Sequence, residues 1–279
     1  NFFSKAAPAL FMGWSNLNFD RRMFHFNFFK ANRYPYITHS SPNSEHDGIH
    51  LARSAQFLNP KTLKTGLTEK GNPSFALEKL AVAQGFDTSQ QHTAYHDAYT
   101  SLKILRIVKQ NHKENWELFL RTSTKSGCET ILKSDEIYSI TESIQSREYP
   151  YLVCNLHPNH NSHLYPKKSN DRFVFDLRRD PEPLLKLPFG ELKSILDETK
   201  PKIIRVLKIN KAPVILNKNC ALKKEPYVNL DFKLIQKRAK MVRDNEKFCQ
   251  NIQTYYREKE EEKEQTKTQE DLLPEETLY

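Results

Sequence analysis

Three short runs constrain the fold most: Tyr149 to Leu156 (YPYLVCNL), Asp171 to Arg178 (DRFVFDLR) and Pro201 to Asn210 (PKIIRVLKIN). Each is too short for a typical core helix, is rich in β-branched or aromatic residues, and is bounded by Pro, Asn or Asp, which is the pattern of strands. Residues 130–215 are therefore expected to form a small β-rich domain. Upstream, Ala9 to Trp14 (ALFMGW) reads as a buried strand that is closed by Gly13 and feeds a helix starting near Asp20. Asp47 to Arg53 reads as a second short strand or a helix start. Pro73-Ser74 is expected to open a helix with Phe75, Leu77, Leu80 and Ala81 inside. From Asp97 onward Ala98, Leu102, Leu105 and Val108 recur at helical spacing, with Lys103, Arg106 and Lys109 on the solvated face. Residues 231–264 read as helix, and the aromatic cluster Phe24, Phe26, Phe28 and Phe29 as helix core.

Charge narrows the range of partners. The net charge is +9, but residues 258–279 hold nine acidic and three basic side chains, so residues 1–257 carry +15 (9 plus 6). That balance favours a polyanionic partner over the plain alternative of a basic, solubilising surface. The apolar share of 38% allows only a modest core. The four cysteines, Cys128, Cys154, Cys220 and Cys249, are widely spaced without a C-x-x-C pair, so free thiols in a reducing compartment are expected. No stretch approaches the roughly 18 to 20 apolar residues of a membrane span, and the start lacks a basic region followed by an apolar one. A soluble, cytoplasmic protein without a membrane partner follows as the expectation. The chain begins at Asn1 rather than Met, as an excerpt of a longer sequence would.

The chemistry-bearing residues lie in two contexts, Gly13-Trp14-Ser15-Asn16-Leu17-Asn18-Phe19-Asp20 and His92-Thr93-Ala94-Tyr95-His96-Asp97. In the first a strand runs into a turn that places Asp20 at a helix start. In the second a loop histidine precedes by five residues an aspartate that opens a helix. Carboxylates at element ends can converge on hard divalent ions, which activate water for phosphodiester hydrolysis. A histidine nearby suits proton transfer, because imidazole ordinarily titrates near neutrality. The competing structural reading is that Asp20 and Asp97 cap helices and that His92 is an ordinary loop residue. The series His157, His160 and His163 sits in an Asn- and Pro-rich stretch without fixed geometry and is not read as a metal site.

Asn-x-x-Phe-Asp (Asn16 to Asp20), Pro-Ser-Phe-x-Leu-Glu-x-Leu (Pro73 to Leu80) and His-x-x-x-x-Asp-Ala-Tyr (His92 to Tyr99) together resemble the exonuclease domain of the exodeoxyribonuclease I family, of the DEDDh group. The likeness continues through Val174 to Arg178, Asp180-Pro181, Leu184-Leu185 and Ile209 to Val214, which are similar to its SH3-like domain, and into Asp231 to Tyr256. It implies an α/β ribonuclease-H-like exonuclease domain without its N-terminal strands (residues 1–122), an SH3-like β domain (123–220) and the start of a C-terminal helical domain with a charged linker (221–279). The implied activity is processive 3′→5′ hydrolysis of single-stranded DNA to 5′-mononucleotides with a pair of Mg²⁺ ions, in DNA repair and recombination. A monomer is expected, with single-strand-binding protein as a further partner.

By the same resemblance Asp97 is a direct metal ligand, Asp20 holds the second metal through water, and His92 is the general base. Tyr36 stacks on a base, and Arg53, Lys125, Arg205 and Lys211 neutralise phosphates. Two departures stand out: the Asp-x-Glu of the family's first strand is absent, and Ala76 stands where an arginine is typical. The first makes turnover by these residues alone doubtful and points to truncation. It also leaves open a non-catalytic single-strand-binding protein with a degenerate metal site. An RNA-directed relative is disfavoured by the second-domain motifs.

Overall fold

The computed structural model describes residues 2–17, 19–144, 147–156 and 170–271. Its first part is built around a parallel strand pair. After a short α1 (Phe2–Ala6), β1 (Leu10–Gly13) pairs with β2 (Ser44–Asp47), Leu10 opposite Ser44 and Gly13 opposite Asp47. A parallel pair needs a crossover, here α2 (Asp20–Lys30) and the loop after it. Asp47 ends β2 and caps α3 (Gly48–Leu58). Its Oδ1 accepts from the amide of Ile49 (3.1 Å) and from that of Ser15 (2.8 Å), tying the turn after β1 to the start of α3. Gly48 permits this junction, because a Cβ there would lie 2.9 Å from both the Gly13 carbonyl oxygen and the Trp14 ring. Asp47 to Arg53 is thus a strand end followed by a helix.

Two sequence expectations are corrected in this part. Pro73-Ser74 does not open a helix but forms β4 (Pro73–Ser74), paired antiparallel with β3 (Gly66–Leu67), and α4 (Leu77–Gln84) starts later. The bridge wins because it closes the loop between residues 67 and 73, and Ala76 then caps α4 without any side-chain bond. The phenylalanines of α2 are not core: the helix buries no residue, and Phe24, Phe26 and Phe29 are exposed. Phe24 and Phe28, four residues apart, share one face, where their rings stack at 6.1 Å and meet Phe3. Phe26 and Phe29 point elsewhere, so the four cannot form one buried stripe. The other helices of this part, α5 (Ala94–Asn111), α6 (Lys113–Thr122) and α7 (Lys125–Ser134), are amphipathic. Leu51, Ala52 and Ala55 of α3 pack with Phe75, Leu80, Ile104, Val108 and Phe119 in one buried cluster.

The second part is a five-stranded antiparallel sheet of β5 (Ile137–Ile144), β6 (Arg147–Asn155), β7 (Asp171–Asp176), β8 (Ile204–Lys208) and β9 (Ile215–Leu216), in the order β8-β7-β6-β5-β9. Alternate residues face opposite ways. Leu152, Cys154, Phe173 and Phe175 enter a core with α8 (Glu182–Leu185), α9 (Phe189–Glu198), α10 (Asn219–Leu222), α11 (Phe232–Asp244) and α12 (Glu246–Asp271). Val153, Val174 and Tyr138 face Cys128, Ile131 and Leu132 of α7. Both faces are covered, which explains why these strands read as near-continuous apolar runs. The helix expected over 231–264 is two, broken at Asn245, whose side chain accepts from the Phe248 amide (2.8 Å). Leu216 of β9 belongs to the cluster of α3 and α5, so the sheet and the first part share a core. His157, His160 and His163 lie outside the described residues.

Candidate functional site

Asp20 is the first residue of α2, exposed, and its carboxylate makes no hydrogen bond or ion pair among the described residues. The N-cap position belongs to Phe19. Asp97 lies in the first turn of α5, whose cap is Thr93, its hydroxyl accepting from the His96 amide at 3.3 Å. Neither aspartate is therefore a helix cap. Oδ1 of Asp97 is instead 3.4 Å from the amide nitrogen of His92. His92 has a left-handed φ of 68° and an exposed ring, with Nε2 3.9 Å from Glu78. Histidine, like Asn and Asp, adopts that conformation more readily than most non-glycine residues, and here it leaves the imidazole pointing outward.

The described residues do not by themselves complete a metal centre. Asp20 and Asp97 offer the hard oxygen donors that Mg²⁺ prefers, but Mg²⁺ demands a near-octahedral oxygen shell. No three His, Cys, Asp or Glu side chains gather among the described residues where an ion could be held.

Three of the four cations expected to meet phosphates fall into two grooves. Arg53 of α3 and Lys211, in the turn after β8, line one of about 290 Å³ together with His50, Glu142, Glu148 and Lys208. Lys125, at the start of α7, lines another of about 520 Å³ with Arg21, His39, Glu45, Ser126 and Asn210. Arg205 is in neither. It is 5% exposed, its guanidinium lies 3.1 Å from the centroid of the Tyr151 ring, and Nη1 donates to Glu142. A phosphate reaching it would have to break that ion pair. Tyr36 is half exposed, its ring edge-on to His25 (5.0 Å), Tyr34 (5.7 Å) and His39 (5.5 Å).

Electrostatics single out groups that sequence reasoning missed. Burial alone would raise the carboxyl of Glu45, but the neighbouring His39 ring (Nδ1 3.8 Å away), a hydrogen bond from the Thr38 hydroxyl and the ion pair with Arg21 (2.5 Å) hold it down to about 2. Burial pushes His46 down to about 3, so its ring is neutral. His50 is lowered, first by burial. Burial raises Glu148, against the opposing pull of Arg53, in the groove that Lys211 also lines. No local motif marks these residues, because their partners are distant in sequence.

A parallel strand pair with crossover helices, followed by a five-stranded antiparallel sheet closed by α11 and α12, is the fold of exonuclease I. The structure of E. coli Exonuclease I in complex with a dA16 oligonucleotide matches with a TM-score of 0.69 at 20% identity, over 88% of this chain and 54% of that one. An ExoI/SSB-Ct complex matches with a TM-score of 0.68 at 20% identity, over 91% and 57%. Residues 146–258, from β6 into α12, match the exonuclease I SH3-like domain. The chain is homologous to exodeoxyribonuclease I: that of Buchnera aphidicola (subsp. Baizongia pistaciae) is 24% identical over 264 residues, covering 87% of this chain and 52% of the relative. The chain thus spans about half the length of the curated relatives it matches.

Proposed function

We propose that the chain is the strand-holding and part of the catalytic apparatus of a 3′→5′ exonuclease that degrades single-stranded DNA to 5′-mononucleotides, in DNA repair and recombination. One observation carries the reading: Arg53 and Lys211, far apart in the sequence, line one groove between the α/β part and the sheet. In this reading those cations and Lys125 bind phosphates, and Tyr36 offers a ring to a base. His92 takes the proton of the attacking water, and Asp97 accepts from the His92 amide to hold the loop that carries it. Mg²⁺ dependence belongs to the proposal. Asp20 and Asp97 supply part of the donor set, and an Asp-x-Glu strand would supply the rest. The units 1–122, 123–220 and 221–279, a monomeric state, a cytoplasmic setting and a single-strand-binding-protein partner are proposed with it.

The absence of a gathered metal cluster among the described residues favours a second reading for this chain alone, single-strand binding without hydrolysis. The two separate in an assay of Mg²⁺-dependent mononucleotide release from a labelled single strand, comparing this chain with one extended upstream in its natural reading frame. Release by the extended form, lost in Asp97→Ala with binding retained, supports the exonuclease. Salt-sensitive binding with no release by either form leaves the binding reading.

A further inference from the structure

The solvent side of α5 carries an aromatic and cationic stripe that the channel reading does not use. Tyr95, Tyr99, Leu102, Arg106 and Lys109 recur at intervals of three and four, so they share one face, with Lys103 at its border. Tyr95 is 78% and Tyr99 44% exposed, and their rings lie parallel within 8° at 6.2 Å. Lys103 Nζ sits over Tyr99 (4.5 Å) and Phe86 (5.0 Å). At the far end Lys109 Nζ lies 5.9 Å from the centroid of the Trp116 ring, in an open groove of about 670 Å³ that Arg106 and Lys113 also line. From Ala98 to Lys113 the sequence holds Lys103, Arg106, Lys109 and Lys113 and no acidic residue. None of the four cations has an ion-pair partner among the described residues. The acids nearby are Asp87, which senses Lys103, and Glu114 and Glu117 on the groove rim.

We propose that this face of α5 is an exosite for single-stranded nucleic acid, running from Tyr95, beside the His92 loop, to the Trp116 groove and separate from the Arg53–Lys211 groove. Its class of ligand rests on the nucleic-acid reading above. Parallel exposed rings extend a base stack, and cations about one helical turn apart (5.4 Å) suit successive phosphates of a single strand. An acidic protein would use the cations but has no need of parallel rings. At 1.5 Å per residue, Tyr95 to Lys109 spans about 21 Å, room for several nucleotides.

The test is fluorescence anisotropy of labelled oligothymidylates of about 8 and about 30 nucleotides with the whole chain and with folded variants checked by circular dichroism. Tyr95→Ser/Tyr99→Ser is expected to weaken the long strand about 5-fold or more, the equivalent of one lost stack of ~1 kcal/mol, and to leave the short one unchanged. Arg106→Ser/Lys109→Ser should reduce the slope of log affinity against log salt by about 1.4, as for two lost phosphate contacts on a single strand. Wild-type behaviour in both variants, with weakening only in Arg53→Ala/Lys211→Ala, overturns the exosite and keeps the channel. No binding by the wild-type chain overturns both. Binding of polyglutamate at the stripe without oligonucleotide binding there reassigns the face to an acidic protein.

Discussion

Replacing Arg205 by Met separates a structural cation from a phosphate ligand. The Arg205 side chain is 4% exposed but Glu142, its carboxylate partner, is 38% exposed, so water reaches the pair from the Glu142 side and its contribution is discounted to about 1 kcal/mol. The guanidinium over Tyr151 is desolvated, and such a cation–π contact contributes about 2 kcal/mol. Against this, Nε and Nη2 are buried without partners, and Met relieves that cost. The net expectation is a loss of about 1 to 3 kcal/mol, read as a lower urea midpoint with an unchanged slope. The same variant should keep the wild-type salt dependence of oligonucleotide binding, whereas Lys211→Ala should lower that slope by about 0.7. A stable Arg205→Met protein with a reduced salt slope would refute the reasoning and return Arg205 to the phosphate path.

Other consequences can be checked on the same protein. Tyr227 is buried and donates to Asp176 Oδ1 (2.5 Å), a buried carboxylate also bonded by the Arg178 side chain (2.8 Å) and the Arg178 amide (3.0 Å). Tyr227→Phe should therefore cost about 1.5 to 3 kcal/mol in urea unfolding, as expected for a bond to a charged group; a loss below about 0.5 kcal/mol would argue against that role. Because the folded carboxyl of Glu45 sits at about 2, below its ordinary 4.5, its contribution is present above pH 4.5 and lost as pH falls towards 2. The stability gap between wild type and Glu45→Gln should close across that window, and a constant gap would contradict the assignment. Phe29→Ser, at a side chain 74% exposed, should change stability by less than about 0.5 kcal/mol, where a core phenylalanine would cost several.

Elements with a strong local period were legible. The spacing of Ala98, Leu102, Leu105 and Val108 gave the helix α5 but not its inner face, since only Leu105 and Val108 are buried while Ala98 and Leu102 are exposed; the apolar runs gave β6, β7 and β8. What failed depended on distant partners. Pro73-Ser74 carries a helix-start signature, yet its conformation is set by Gly66-Leu67, and the α2 phenylalanines looked like core only while their directions around the helix were ignored. At the candidate site, the motifs named His92 and Asp97 but not the bond between the His92 amide and the Asp97 carboxylate. The commitment of Arg205 rests on Glu142, 63 residues away, and on Tyr151, neither of which any local pattern could supply.

The strand order has a kinetic meaning. β9 closes the sheet against β5, the first strand made, and its Leu216 also seals the cluster around α3 and α5. On a ribosome the β5–β6 hairpin emerges with both edges bare; β7 covers the β6 edge, and the β5 edge waits about sixty residues more, from 155 to 215, for its partner. Until residue 216 is out, Ser139 and Ile140 present unpaired strand backbone open to a wrong partner, and the late arrival of a two-residue strand is what pairs them.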